Sequence, residues 1–258
     1  MMEENLLDLL IVSGSSRGIG KKIIEDLSVL SRTTLAISSS RSNWNVVNKS
    51  IEMIQADLKN FELVEGLLKQ KLIFSNKNPK IGIVLCAAQI GEPVGIFDAN
   101  FSEWNDLLKI NLLGNLAIVK AVINLMPPDS KLRVVFFAGG GAAYGYPDFF
   151  GYGLSKVAVV RAVENIGIEF EMRGIDASII ALAPGAVATD MLAKVIANGG
   201  HVKTRTEIDE PVRFVANFLF DKVATAKLNG RFCHVRDEIH DLFIQELDSS
   251  KFKLRRIE

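Results

Sequence analysis

The sequence predicts a single doubly wound α/β domain, a parallel sheet with helices on both faces in three layers. Three observations predict it. Short β-branched runs alternate with longer helical patterns over the first two-thirds of the chain. Lys80–Ala87 is continuously apolar, as a strand covered on both faces must be. A glycine-rich turn, Ser13–Gly20, separates the first strand pattern from the first helical one. Such alternation implies parallel strands joined by right-handed crossovers. At 258 residues the chain can fill one large domain, and no linker, repeat or low-complexity stretch divides it. Residues 236–258 read as a C-terminal tail packing on the domain or on a partner subunit.

Leu7–Ser13 reads as the first strand. Gly18–Leu30 is helical, with Ile19, Ile23, Ile24 and Leu27 on one face. Thr33–Ser38 is a second strand, and Ile51–Ala56 a third that runs into Asp57. Phe61–Lys71 is helical, and Lys80–Ala87 the fourth strand. Phe101–Met126 reads as one long helix, closed by Pro127-Pro128, which it cannot enter. Leu132–Ala138 is the fifth strand, and Tyr152–Arg173 a helix ending at Gly174. Asp176–Ala183 is the sixth strand, stopped by Pro184-Gly185; Pro211–Lys222 is helical and Arg231–Val235 a last short strand.

Composition excludes several classes of function. Thirty basic and thirty acidic residues cancel, so no electrostatic footprint for nucleic acid or an anionic membrane is visible. No apolar run approaches the ~20 residues of a membrane span. The acidic start, Met1-Met2-Glu3-Glu4-Asn5, argues against a targeting peptide. Cys86 and Cys233 sit in apolar contexts and read as buried free thiols, pointing to the reducing cytoplasm. His201, His234 and His240 show no metal-ligand spacing, so no metal is expected.

The glycine-rich turn follows an apolar strand and opens a helix. Glycines there permit a tight turn and let backbone N–H groups approach a pyrophosphate. The end of the second strand then discriminates between cofactors. A carboxylate binds ribose hydroxyls, whereas an arginine accepts a 2′-phosphate. Ile37-Ser38-Ser39-Ser40-Arg41 holds no acid. With Arg17 from the turn, these residues favour NADP(H) over NAD(H).

Tyr152-Gly-Leu-Ser-Lys156 stands about 130 residues further on. Four residues apart on a helix, a phenol and an ammonium lie on one face. The cation is expected to lower the phenol from its ordinary value of about 10, allowing proton exchange with an alcohol oxygen.

Together the glycine spacing, Asp57, Asn111, the Tyr152/Lys156 pair and Pro184-Gly185 resemble the short-chain dehydrogenase/reductase family, of compact single-domain, Rossmann type. The similarity runs from about Leu7 to Val235. It implies that Gly14, Ser16, Arg17, Gly18, Ile19 and Gly20 bind the dinucleotide, with Ser38, Ser39 and Arg41 at the ribose. Asp57 and Leu58 would hold the adenine, and Ala87 and Ala88 would support the cofactor through their backbone. Pro184, Gly185, Val187 and Thr189 would clasp the nicotinamide carboxamide. Tyr152 would be the acid/base and Lys156 would hold the ribose, while Asn111 would keep a proton-relay water near the lysine.

Cys86-Ala87-Ala88-Gln89 departs from the family's usual Asn-Asn-Ala-Gly, so altered hydrogen bonding without loss of cofactor binding is expected. The family's catalytic serine lies 13 residues before the tyrosine, and here that residue is Gly139. No serine or threonine occurs from Val134 to Leu154. Losing one such donor costs typically ~10²–10³ in rate. Backbone N–H groups of Gly139-Gly140-Gly141 are the expected substitute, with the Tyr144 or Tyr146 hydroxyl as alternatives. Gly139, Gly140, Tyr144 and Met191 are the expected substrate contacts, with Phe149, Phe150 and a lid over Met191–Gly200 around them. The Ala138–Ala142 run and the Leu254–Ile257 ending resemble a branch of the family associated with carbohydrate or cell-surface polysaccharide pathways, which implies a carbohydrate-type substrate.

Two readings follow. One is an oxidoreductase interconverting a secondary alcohol and a ketone. The other is a catalytically impaired dinucleotide-binding protein acting as a sensor or assembly partner. For either, a small-molecule ligand is expected, and a homodimer or homotetramer formed through helices 101–126 and 152–173.

Overall fold

The computed structural model describes residues 6–40, 44, 50–199, 204–223 and 225–237. Arg41, Gly200 and the expected tail from residue 238 onward lie outside them.

Seven parallel strands form the sheet: β1 (Leu7–Ser13), β2 (Ser31–Ser38), β3 (Ile51–Gln55), β4 (Lys80–Leu85), β5 (Lys131–Phe137), β6 (Ala177–Ala183) and β9 (Arg231–His234). Their order is β3-β2-β1-β4-β5-β6-β9. The direction of winding reverses between β1 and β4. That is where a doubly wound sheet opens a crevice beyond the carboxyl ends of its strands.

Period-two alternation sends neighbouring side chains to opposite faces. Leu9 and Ile11 join one core with Val64 and Leu68 of α2 (Phe61–Lys71), Ile118 and Val122 of α4 (Gly114–Leu125), and Val159 and Val163 of α6 (Phe150–Arg173). Leu10 and Val12 join the other, with Ile23 and Ile24 of α1 (Gly18–Leu27) and Val215 and Phe218 of α8 (Asp209–Leu219). Each layer thus uses one apolar stripe of each helix, and the central strands are buried on both faces. At the amino end of the sheet, buried Arg133 donates to Asp221 at 2.7 Å and Asp176 at 3.0 Å.

Several expected boundaries move. The first helix ends at Leu27 and tightens into a 3₁₀ turn over Ser28–Leu30, so β2 begins at Ser31. The expected helix 101–126 is interrupted. It consists of α3 (Phe101–Leu108), a π turn over Lys109–Leu113, and α4. A π turn accommodates an additional residue and reorients what it carries; here it carries Asn111.

Five short elements were not anticipated: α5 (Gly140–Ala143), α7 (Asp190–Ala197), α9 (Thr225–Leu228), and the parallel pair β7 (Ala186–Val187) and β8 (Arg205–Thr206). α7 is amphipathic, with Met191 and Val195 packed on the Ile90–Phe149–Tyr152 cluster, yet none of its residues is fully buried. The sheet end of this excursion is fastened by Arg236, which donates to Thr204 Oγ1, the Arg205 carbonyl and Thr206 Oγ1.

Candidate active site

The crevice at the switch point is a cleft of about 500 Å³. Its floor is the glycine-rich turn after β1. Gly14 has φ +67°, and a Cβ there would come within 2.6 Å of the Ala87 nitrogen, so neither the conformation nor the space admits another side chain. Trp44 Nε1 donates to the Ser15 carbonyl at 2.8 Å and holds the turn from outside.

The start of α1 is uncapped. Arg17 occupies the N-cap without a side-chain bond, and the first turn holds no acid. Its free N–H groups and the positive end of its dipole therefore face the cleft, a fit for a phosphate. The end of β2 presents Ser38 and Ser39 and no carboxylate.

Opposite the turn, the Cys86–Gln89 segment is gripped by its backbone. Ala87 N donates to Ser13 Oγ, and Asn115 Nδ2 donates to the Ala87 carbonyl at 3.0 Å. Ser13 Oγ in turn donates to Asn115 Oδ1 at 2.6 Å. Asn111 Oδ1 accepts from Gln89 N, while its Nδ2 donates to the Gln89 carbonyl, both at 2.8 Å. The departure from Asn-Asn-Ala-Gly therefore leaves a satisfied backbone clamp.

Tyr152 and Lys156 lie on the first turns of α6, both buried. The Lys156 ammonium lies 5.5 Å from the Tyr152 ring centroid and donates to the Phe137 carbonyl at 2.8 Å. Burial pulls the ammonium down from 10.5 to about 8. Burial also pushes the Tyr152 phenol well above its ordinary value, with the nearby Tyr146 adding to the rise. Burial thus opposes the expected lowering of the phenol, and the ammonium's hydrogen bond goes to the Phe137 carbonyl.

Gly139 takes φ +158°, ψ 179°, and a Cβ built there would lie 3.1 Å from Tyr152 Oη. The bare backbone at this position is therefore directly beside the phenol. Gly140 has nothing within 4 Å of where its Cβ would be.

Of the expected cofactor residues, Gly14, Ser16, Arg17, Gly18, Ile19, Gly20, Ser38, Ser39, Asp57, Leu58, Ala87, Ala88, Tyr152, Lys156, Pro184 and Thr189 all border this one cleft. Val187 is buried in β7 behind it. Gly185 packs on Thr206, which a Cβ would overlap. Met191 borders the cleft on α7.

Two expectations fail on geometry. Tyr144 is 80% exposed and, like Gly139 and Gly140, does not border the cleft; Tyr146 packs edge-on to Tyr152, 6.5 Å between ring centroids, without bordering it either. Phe150 stacks on Trp104 at 5.0 Å, leaving Phe149 to pack with Tyr152 and Ile90. Both Asn111 Nδ2 hydrogens are spent, on the Gln89 carbonyl and on Ser155 Oγ at 2.9 Å, and the side chain is fully buried, so it offers no free donor to a relay water.

Ser13, Asn115, Ser155 and Asp190 were missed. Two asparagines four apart in an otherwise apolar helix were a legible sign of an inward polar pair. Asp190 was not legible: it joins Arg17 across the cleft mouth at 3.3 Å only because α7 folds over it. A second surface pair, Lys194 with Glu92 at 2.8 Å, ties the same helix to the other bank.

A family model described as short chain dehydrogenase matches residues 8–199. A 3-oxoacyl-[acyl-carrier-protein] reductase of Synechocystis is 27% identical over 189 residues, 70% of this chain and 74% of that protein. The solved structure of a short chain dehydrogenase from Shigella flexneri, complexed with NADP, superposes with a TM-score of 0.73 at 17% identity, over 91% of this chain and all of that one. A 4-hydroxyisoleucine dehydrogenase complexed with NADH gives 0.69 at 18% identity, over 88% and 96%.

Proposed function

The chain belongs to the short chain dehydrogenase family, and from that premise we propose that it is an NAD(P)(H)-dependent oxidoreductase interconverting a ketone and a secondary alcohol. The observation that carries this reading is the Tyr152–Lys156 pair, buried together at the cleft beside side-chain-free Gly139.

When bound, the nicotinamide supplies or accepts the hydride. Everything else falls to side chains and backbone of this chain. The uncapped α1 start would hold the pyrophosphate, and Asp57 and Leu58, which border the cleft, would meet the adenine. Tyr152, protonated at neutral pH because burial disfavours its phenolate, donates its proton to the ketone oxygen as that oxygen gains charge. The Lys156 ammonium, carrying its charge below about pH 8, stabilises the phenolate left behind. Asn111 contributes to the proton path through its main-chain carbonyl, since both hydrogens of its buried amide are spent. Backbone N–H groups from residue 139 onward replace the missing hydroxyl at the oxyanion.

We favour NADP(H): Ser38 and Ser39 present no carboxylate to repel a 2′-phosphate, and Arg17 is at the cleft mouth. The 3-oxoacyl reductases among the relatives act, by name, on a ketone in an acyl group, chemistry this site suits; nothing among them supports a carbohydrate substrate. A homodimer or homotetramer is proposed through α4 and α6. They flank an apolar groove of about 680 Å³, and Leu154, Val157, Ile168 and Met172 are exposed along one stripe of α6. No helix among the described residues is long and apolar enough to cross a membrane. A cytoplasmic location is proposed from the two free thiols.

The test is oxidation of NADPH, followed at the nicotinamide band, with a panel of ketones that includes a 3-oxoacyl thioester. Turnover that Tyr152→Phe removes is expected. Tight NADPH binding without turnover of any ketone would favour the impaired, dinucleotide-sensing reading that Gly139 motivates.

A further inference from the structure

Ser155 sits between the two residues of the catalytic pair and is fully buried, as is Asn111. Its Oγ donates to the Tyr152 carbonyl at 2.7 Å and accepts from Asn111 Nδ2 at 2.9 Å. Donor accounting fixes every proton in this cluster. The Asn111 amide has two N–H donors, spent on the Gln89 carbonyl and Ser155 Oγ, and its Oδ1 takes the Gln89 N–H. Turning the amide over would set Oδ1 against the Gln89 carbonyl and Nδ2 against an N–H, so one orientation alone is satisfied. Ser155 has a single proton, and with an N–H pointing at its oxygen that proton must go to Tyr152.

The cluster therefore joins three chain segments at one fully buried point. These are the π turn over Lys109–Leu113, the cleft-lining Cys86–Gln89 segment, and the first turn of α6. α6 brings Tyr152 to the cleft, and the π turn brings Asn111. Nothing else among the described residues bonds the Asn111 side chain to α6.

We propose that Ser155 is a positioning residue, which sets the Tyr152 phenol against the Asn111 turn by passing a hydrogen bond from the Asn111 amide to the Tyr152 main chain. This rests on the reading of Tyr152 as the acid/base. Removing Oγ strands an Asn111 N–H in a fully buried site. The relief available is rotation of the amide or reversion of the π turn, and either moves the Asn111 carbonyl relative to the phenol. Among the described residues, Gly14–Gly20 and the β2 end, which would hold the adenosine and phosphates, make no hydrogen bond with Asn111, Gln89 or Ser155; the turn hydrogen-bonds the Cys86–Gln89 segment only through Ser13. Proton delivery should suffer and cofactor affinity should not.

The experiment compares wild type, Ser155→Ala, Ser155→Cys and Ser155→Thr, with NADPH and ethyl 3-oxobutanoate as the ketone. Ser155→Ala is expected to lower kcat about 10-fold, leave the KM for NADPH within twofold, and raise the solvent isotope effect on kcat. Ser155→Thr, which keeps the hydroxyl, should recover kcat to within about threefold. Hydrogen exchange of the ligand-free protein should quicken in residues 86–92 and 107–116 and stay unchanged in 7–27. If Ser155→Ala is not recovered folded, Ser155→Cys, nearly isosteric but a weak hydrogen-bonder, carries the same expectations. An unchanged kcat and isotope effect, or equal losses in kcat and NADPH affinity, would overturn the proposal. Activity retained by Tyr152→Phe would instead sink the acid/base reading beneath it. Should wild type not turn over this ketone, the exchange pattern decides: no change in 107–116 overturns the coupling.

Discussion

Restoring a serine at position 139 would supply the hydroxyl that the resemblance says is missing, and on chemistry alone a gain of up to ~10²–10³ in rate is the expectation. The structure points the other way. Gly139 has φ +158°, where an L side chain costs on the order of 1–3 kcal/mol. Its new Cβ would stand 3.1 Å from Tyr152 Oη, closer than ordinary van der Waals contact. The phenol must then shift by a few tenths of an ångström, while the backbone strain is carried by the folded state alone. Since a 1 Å misplacement costs about 10²-fold, a shift of this size costs several-fold to about 10-fold. For a chain of this length, ~1–3 kcal/mol lowers the thermal midpoint by roughly 2–10 °C. Gly139→Ser is therefore expected to be slower and less stable than wild type, measured by NADPH oxidation and by thermal unfolding. Gly140→Ser, with open space around its Cβ, should keep its midpoint within about 2 °C. A tenfold gain for Gly139→Ser at an unchanged midpoint would refute the reasoning, because it would mean that the loop adopts negative φ freely.

Two further outcomes follow from the charges. Lys156 is pulled by burial from 10.5 to about 8, so below pH 8 both folded and unfolded states keep its proton and the folded state bears the full penalty. Between pH 8 and 10.5 the unfolded chain holds more protons, so stability rises with pH by roughly 3 kcal/mol from this group. The stability of wild type relative to Lys156→Met, from denaturant titrations between pH 7 and 10.5, should rise accordingly; a flat difference would contradict it. At the cleft mouth, Asp190→Asn releases Arg17 from an exposed pair worth ~0.2–1 kcal/mol. NADPH should bind about 2–5-fold more tightly and NADH less so, with the gain shrinking at high salt; equal gains for both cofactors would show that Arg17 does not meet the 2′-phosphate.

The sheet and the cleft were largely legible from the sequence because their determinants are local. The apolar runs within Leu7–Ser13 and Lys80–Leu85 follow from strands covered on both faces. Gly14 follows from a backbone approach that tolerates no Cβ. The elements that escaped have little burial to announce them, as with α7, or depart from a uniform period, as with the π turn in an otherwise regular apolar helix.

By itself, the sequence determined the parallel doubly wound architecture, the family, and the residues that border the cleft, since strand periodicity, turn glycines and a spacing of four are properties of the chain read along its length. Only the tertiary structure decided how those residues are poised. Burial, not the neighbouring charge, governs Tyr152, and the Asn111 amide is consumed by Gln89 and Ser155. The space beside the phenol is held by Gly139 and shaped against a side chain. Desolvation, hydrogen-bond saturation and the room for one carbon atom depend on what segments tens of residues apart bring to the same few ångströms, and no local pattern encodes that.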